Sequence, residues 1–332
     1  FFDIPSVVDL ASASVAQTVR RVDSDATAVH VLGTSMSLER QLASNMTLSL
    51  AYIFKRRSNL QRSRNINAPQ PGTFDPNNPG SAVRPFGNVG NIFLFESDGV
   101  ANDHTLVLTY NGRLKNGLFL YGRAGLSLEK GNSEGPYFFP ANSFDPDDDF
   151  GFQNNDRRRF AIAAANYTLP WWGIGISSSI FAASANPFNI TTGQDNNGDG
   201  VFNDRPALAT DLSTPGVIVT PFGNFDPNPA PGQVLIPRNF GRGNGLVTVS
   251  MRVSKSFRFG VVPGSAAQGG ANKKPAPAEK RFTLSVYGSG QNILNHTNLG
   301  SVVGVLTSPN FGRATTIVNT PRRIEMGVRF EF

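Results

Sequence analysis

The last eleven residues, Arg322 to Phe332, read RRIEMGVRFEF and restrict the fold more than any other stretch of the chain. Successive side chains of an extended chain point to opposite faces. Ile324, Met326, Val328, Phe330 and Phe332 therefore share one face, and Arg323, Glu325, Arg329 and Glu331 share the other. So polarised a strand is no core strand. In a layered water-soluble body its apolar row would pack on a second layer. In a curved wall across a bilayer the same row meets acyl chains while the charged row lines a wet interior. The second arrangement is expected here, because the pattern recurs along the chain.

Composition agrees with that expectation. Only 16% of the 332 residues are charged, against about 25% in ordinary soluble proteins. No apolar run is long enough for a membrane-spanning helix, which needs about 18 or more residues. The absence of Cys removes disulfides and thiolate metal sites. The net charge of +6 is scattered over strand ends and loops without forming a stripe, so nucleic-acid binding is not expected. The sequence starts at Phe1 without a basic and apolar leader, so any export signal is expected upstream.

Read in order, residues 1–27 are weakly patterned. Alternation starts at Val29 and Val31, shifts phase near Gly33 as if at a bulge, and continues through Met36, Leu38 and Leu42. A tight turn at Ala43-Ser44-Asn45 leads into Met46, Leu48, Leu50, Tyr52 and Phe54. Residues 56–90, rich in Pro, Asn and Gly, are expected to be a long loop. Asn91 to Asp98 and, after a polar break, His104 to Arg113 follow, the latter with Leu106, Leu108 and Tyr110 on one face. Asn116-Gly117 marks a turn, and Leu118, Leu120, Ala124, Leu126 and Leu128 return opposite Tyr121, Arg123, Ser127 and Glu129. After a loop at 131–156, acidic around Asp145 and Asp147 to Asp149, the segment 157–182 reads as a hairpin. Its apolar residues are Phe160, Ile162 and Ala164, then Trp172, Ile174, Ile176 and Ile180. The longest loop, 183–245, precedes Val247, Val249, Met251, Val253, Phe257 and Phe259, which alternate with Thr248, Ser250, Arg252, Ser254 and Arg258. Residues 260–280 read as a flexible basic connection. Phe282, Leu284 and Val286 come next, then the loop 296–321 and the terminal strand.

This gives an all-β fold, an antiparallel transmembrane β-barrel with about nine strands joined by alternately short and long connections. The expected layout is first strands over 28–130 with loop 56–90, a hairpin at 157–182, an extracellular loop at 183–245 and C-terminal strands over 246–332. Long loops sorted to one side and tight turns to the other distinguish a membrane barrel from a soluble sandwich. Trp171, Trp172, Phe257, Phe259, Phe282, Phe330 and Phe332 all fall toward the short-turn side, as an interfacial girdle does. The charged inner row, Arg123, Arg252, Arg258, Arg323 and Arg329 with Glu39, Glu129, Glu325 and Glu331, is expected to form cross-strand ion pairs or line a passage. Bacterial single-chain barrels have even strand numbers, and an open edge in lipid is costly. The chain is therefore expected to be the C-terminal portion of a larger barrel.

Four blocks carry a resemblance to a known family: NLQRSRNINAP (59–69), DRRRFAIAAANYTLPWW (156–172), TTGQDNNGDGVFNDRPA (191–207) and the end, QNILNHTNLGSVVGVLTSPNFGRATTIVNTPRRIEMGVRFEF (291–332). In their order and spacing they resemble the C-terminal barrel of TonB-dependent receptors, above all the Oar-like subgroup with an N-terminal carboxypeptidase-regulatory-like domain. The resemblance implies a barrel of about 22 strands around a plug. It also implies TonB as energy source, a bulky solute such as a glycan, peptide, siderophore-like compound or protein as cargo, and the outer membrane of a Gram-negative-type bacterium as location. The plug, the TonB box and the N-terminal domain have no counterpart in these residues. TonB would be reached only through those missing parts, the barrel-assembly machinery through the C-terminal strand.

One loop has the order of an ion site. Asp195, Asn197 and Asp199 stand at positions 1, 3 and 5 of a D-x-N-x-D-G pattern, with Gly200 at the turn and the Val201 carbonyl at 7, as in loops whose oxygens converge on Ca²⁺. The bidentate Glu at position 12 is replaced by Pro206, and Asp204 is the substitute. A metal-free network of Asx turns fits the same residues. The acidic stretch 145–149 reads as a solvated loop. No catalytic motif is present: His30, His104 and His296 lack metal-ligand spacing, and there is no G-x-S-x-G elbow or P-loop. The expectation is a non-enzymatic transport barrel. A surface adhesive barrel that moves nothing and a small self-contained porin are the alternatives, the porin disfavoured by the odd strand number.

Overall fold

Nine long strands of the computed structural model, which describes residues 17–230, 233–261 and 280–332, form one sheet in which each strand pairs with its sequence neighbour. They are β1 (His30–Ala43), β2 (Met46–Asn65), β3 (Ile92–Arg113), β4 (Phe119–Gly131), β5 (Arg159–Thr168), β6 (Ile174–Ala183), β7 (Leu246–Val261), β8 (Lys280–Gln291) and β9 (Arg323–Glu331). All eight pairings are antiparallel. Tight turns close β1–β2, β3–β4 and β5–β6 at one end. The second needs Gly117 at φ 87°, where a side chain is strained. Residues 262–279 of the connection between β7 and β8 lie outside the described residues.

Directly paired residues project to the same face, so the register decides what each surface carries. One rung runs Leu38, Leu50, Leu108, Ala124, Ala161, Ala182, Val247. Another runs Tyr167, Ile176, Val253, Gly288, Met326. These residues stand in the open: Leu38 is 73% and Met326 86% exposed. In water such a face would forgo about 25 cal/mol for every Å² of apolar surface left uncovered; against acyl chains it forgoes none. The intervening rungs are polar, for example Gln41, Thr47, Asn111, Tyr121, Ala164, Ser179, Ser250, and Asn166, Ser177, Arg252, Ser289, Glu325.

Several expectations need correction. The loop expected over 56–90 starts only after Asn65, and the polar break before His104 is strand, because β2 and β3 stay paired well beyond bilayer height. There Arg62 and Arg64 both donate to Glu96, and buried charges that pair so closely hold the strands together. Register shifts accompany Asn59 in the left-handed region, at φ 57°. No bulge occurs at Gly33; the shift lies between Gln41 and Ala43. Phe160, Ile162 and Ala164 sit on the polar-row side, opposite Gly125, Arg123 and Tyr121. The outward residues of β5 are Ala161, Ala163, Ala165 and Tyr167, and alanines give the alternation too little amplitude to fix its phase.

The segment 183–245 is more than a loop. It contains short strands Pro187–Phe188, Ala207–Leu208, Ile218–Thr220, Gly223–Asp226 and Gly241–Arg242. Ile190, Phe225, Ile236 and Leu306 are buried in a small core packed by Phe188, Phe222, Phe240 and Phe311. Leu306 and Phe311 come from the β8–β9 connection, so two long loops share this core. At the same end a short strand, Val19–Val22, pairs in parallel with Ile92–Phe95 of β3.

Candidate functional site

The long-loop end carries the only packed body apart from the wall among the described residues, and arginines fasten it. Arg205 donates to Asp149, both buried, joining the 183–245 segment to the β4–β5 connection. Arg238 donates to Glu134 at 2.7 Å and to the Gly131 carbonyl at the end of β4. Arg242 reaches Asp156 at 2.6 Å. A buried guanidinium left without its carboxylate costs several kcal/mol, so these pairs fix how the loops sit on the wall. Asp149 belongs to the acidic stretch read as a solvated loop, and this is corrected: its carboxylate is buried and paired, and the Asp147 side chain accepts from Asn132. None of these partners was legible, since each lies dozens of residues from its arginine.

Clefts open among the fastened loops and on the wall below them. One of about 570 Å³ is lined by Asn154, Arg157, Asn186, Asn189, Asn239 and residues of the β8–β9 connection. Arg157 Nε donates to Asn186 Oδ1 at 2.9 Å, and Asn239 Nδ2 to Asn154 Oδ1 at 2.9 Å. Its lining is rich in amides and contains no carboxylate. Another, about 540 Å³, lies on the polar wall face and is lined by Asn166, Ser177, Ser179, Ser250, Arg252 and Gln291 among others. Apart from Arg157 in the first and Arg252 in the second, the polar side chains of both linings are amides and hydroxyls, which donate and accept hydrogen bonds.

The 195–204 loop is the junction of this body. Asn65 Nδ2 donates to the Asp199 carbonyl, Arg84 Nη2 to the Gly198 carbonyl and Asn197 Nδ2 to the Ala141 carbonyl, each at 2.8 Å. Within the loop, Asp195 accepts from Asp199 N and Gly200 N, Asp199 from Val201 N, and Asp204 from Asn196 N. Asp195, Asn197, Asp199 and Asp204 are thus brought into one turn network. Among the described residues no group of three or more His, Asp or Glu stands in a metal-holding arrangement. Burial, with the neighbouring Asp195 charge, pushes the Asp199 carboxyl up to about 6 and the Asp204 carboxyl up to about 7.

The aromatics expected to form an interfacial girdle are placed at the short-turn end of the wall. Trp171 and Trp172 stand 88% and 67% exposed in the β5–β6 turn. Phe259, Phe282 and Phe330 come within 5.6–6.3 Å of one another, Phe332 lies 6.2 Å from Phe330, and Phe257 pairs with Leu284. One expected ion pair does cross strands, at Glu129, and two are corrected. Arg323 pairs with Glu325 and Arg329 with Glu331, two residues along the same strand, while Glu129 pairs with Arg57. Arg123 lies 5.9 Å from the Phe160 ring and Arg252 lies 3.9 Å from that of Tyr287. These two cations of the polar face meet rings in place of carboxylates.

A family model described as an outer membrane beta barrel domain matches residues 3–325. Among solved structures, the outer membrane transporter YddB from Escherichia coli is similar with a TM-score of 0.51 and 11% identity, over 96% of this chain and 34% of that one. The FrpB iron transporter from Neisseria meningitidis aligns at 0.46 and 11% identity, over 94% and 32%. The unliganded ferric citrate transporter FecA aligns at 0.40 and 12%, over 90% and 31%. The chain spans about a third of the length of these structures. None of the curated proteins matches it.

Proposed function

Since the chain belongs to the outer membrane beta barrel domain family, we propose that its residues form the C-terminal wall and outer loops of a TonB-dependent receptor of the Oar-like subgroup that passes a bulky solute. The chain is an outer-membrane protein and not an enzyme. The observation that supports the transport reading is the two-faced wall: apolar rungs outside, a Ser, Thr, Asn and Arg lining inside, and a fastened loop body at one end. The amide-rich cleft among the loops, with Arg157 as its single charged side chain, suits a glycan-like or peptide cargo. In this reading the plug and the TonB-contacting parts lie outside residues 1–332, the remaining strands close on the free edges of β1 and β9, and β9 is the strand offered to the assembly machinery. The test is uptake of labelled glycan and peptide mixtures by cells with and without TonB. Loss of uptake without TonB, and equally on deleting this protein, supports the reading. Surface binding that persists without TonB supports the adhesive alternative.

The 195–204 loop is proposed to take Ca²⁺ through Asp195, Asn197, Asp199, the Val201 carbonyl and Asp204. Three carboxylates share one turn there, and Arg205, the adjacent cation, is committed to Asp149. Binding requires Asp195 and Asp199 to turn oxygens from backbone N–H groups toward the ion.

A further inference from the structure

The cleft among the loops and the cleft on the wall follow one another along β7. The first, of about 570 Å³, takes Leu246 from the start of that strand and Ile317 and Val318 from the β8–β9 connection. The second, of about 540 Å³, takes Thr248, Asn319 and Thr320. Leu246 and Thr248 both lie on the polar face, opposite Ala183 and Phe181. Each cleft contains a single charged side chain, Arg157 in the first and Arg252 in the second, and neither is lined by a carboxylate.

Both arginines are held in place without being neutralised. Arg157 donates from Nε to Asn186 Oδ1 at 2.9 Å, which orients the guanidinium and uses one of its five N–H groups. The adjacent carboxylate of Asp156 is committed elsewhere, to Arg242 at 2.6 Å and Arg158 at 3.7 Å. Arg252 lies over the Tyr287 ring, 3.9 Å from its centroid. Its register partners are Ser177 and Ser289, and Glu325, next along that rung, pairs with Arg323. Among the described residues no carboxylate stands within salt-bridge distance of Arg157 or Arg252. The cleft beside them that contains Glu134, Asp149, Arg205 and Arg238 differs, because those four charges pair with one another.

The remainder of each lining suits a ligand dense in hydroxyls. Ser177, Ser179, Ser250, Ser289 and Thr248 line the second cleft. Asn154, Asn239 and Asn244 supply amides in the first, beside the apolar side chains of Leu299 and Ile317. A hydroxyl donates and accepts at once, so rows of hydroxyls and amides pair well with sugar hydroxyls, while apolar side chains meet the C–H face of a pyranose ring. A peptide brings one N–H and one C=O per residue, too few for so dense a row.

We propose that the two clefts form a track for an acidic oligosaccharide, in which Arg157 and Arg252 each take the carboxylate of a uronic-acid residue. The planar guanidinium fork matches a carboxylate in two parallel hydrogen bonds. This deepens the transport reading by giving its cargo a chemical class, and rests on that reading for passage but not for binding.

The full-length protein in detergent micelles should be titrated calorimetrically with hexamers of galacturonate, of mannuronate and of hyaluronan, each beside its carboxyl-reduced form, and with hexaglutamate. At least one acidic hexamer should bind, about tenfold or more tighter than its reduced form, and Arg157→Gln should remove that preference. Arg252→Gln should weaken the acidic hexamer at least about threefold, and Lys115→Gln, in the β3–β4 turn at the far end of the wall, should leave it unchanged. Should Arg157→Gln not fold, Arg157→Lys keeps the charge without the fork and should still lose at least about threefold. Failure of all three acidic hexamers to bind, equal binding of the reduced forms, undiminished binding by the folded Arg157 variant, the same loss in Lys115→Gln, or equally tight binding of hexaglutamate would each overturn the proposal. Uptake separates it from the transport reading. TonB-dependent uptake of glycans with no preference for uronates removes the acidic track and leaves transport standing, whereas uronate binding without TonB-dependent uptake keeps the track and removes transport.

Discussion

Asn298 pairs with Val247 as a neighbouring strand would: Val247 N donates to Asn298 Oδ1 at 2.8 Å, and Asn298 Nδ2 donates to the Val247 carbonyl at 2.7 Å. The amide is fully buried and holds the β8–β9 connection onto the first residues of β7. A side-chain amide has the donor and acceptor of a peptide group, so it can close a sheet ladder where no strand is present.

Asn298→Ala leaves both Val247 groups unpaired, at about 1–3 kcal/mol each when buried. Hydrogen exchange should show faster exchange through 296–321 and at the start of β7, with β1 to β4 unchanged. Unaltered protection of the connection would show that the amide pair does not hold it.

Arg205 and Asp149 should behave as a coupled pair. Either Arg205→Met or Asp149→Leu alone strands a buried charge and should cost about 3–5 kcal/mol, while the double variant should recover much of the loss. A double-mutant cycle on thermal unfolding of the loop body checks this, and additive losses would contradict it.

Mild acid should stabilise the loop body in the absence of divalent cations. Asp199 and Asp204 have folded pKa values of about 6 and about 7, above 3.8 unfolded. Between these limits the folded state binds more protons, so stability falls as pH rises from about 4 to about 7. Melting of the loop body should come at a higher temperature at pH 5 than at pH 8, and Asp199→Asn should flatten that difference.

Calcium should act in the opposite direction, since it binds the ionised carboxylates. At pH 8, millimolar Ca²⁺ should protect 195–204 from exchange and Asp199→Asn should abolish the effect. Calorimetry without a Ca²⁺ heat at pH 8 would leave the turn network as the whole role of these residues.

Adjacent residues of β3 should differ sharply in tolerance. Leu108→Arg puts a charge in lipid and should cost about 2–4 kcal/mol, whereas Thr109→Arg, on the polar face, should cost little. Unfolding titrations in vesicles compare the two directly. Equal costs would mean that the register assigns the faces wrongly.

The sequence alone determined the wall. Alternation of large apolar with charged residues, as in Met326, Val328 and Phe330 against Glu325 and Arg329, is a local property that survives without knowing any partner. Where alternation lost amplitude, as in the alanines of β5, the phase came out one residue wrong, and only the pairing of Ile162 with Arg123 corrected it. The strand above the bilayer at 56–65 was hidden because its order comes from Glu96, thirty or more residues away, and not from its own pattern. The 195–204 loop could be recognised from its spacing, yet its position as the junction of three loops could not. Tertiary structure decided the loop core and the buried arginine pairs. Each depends on which strand lies beside which, and at what register, and the pairing energies that fix register join residues far apart in the chain.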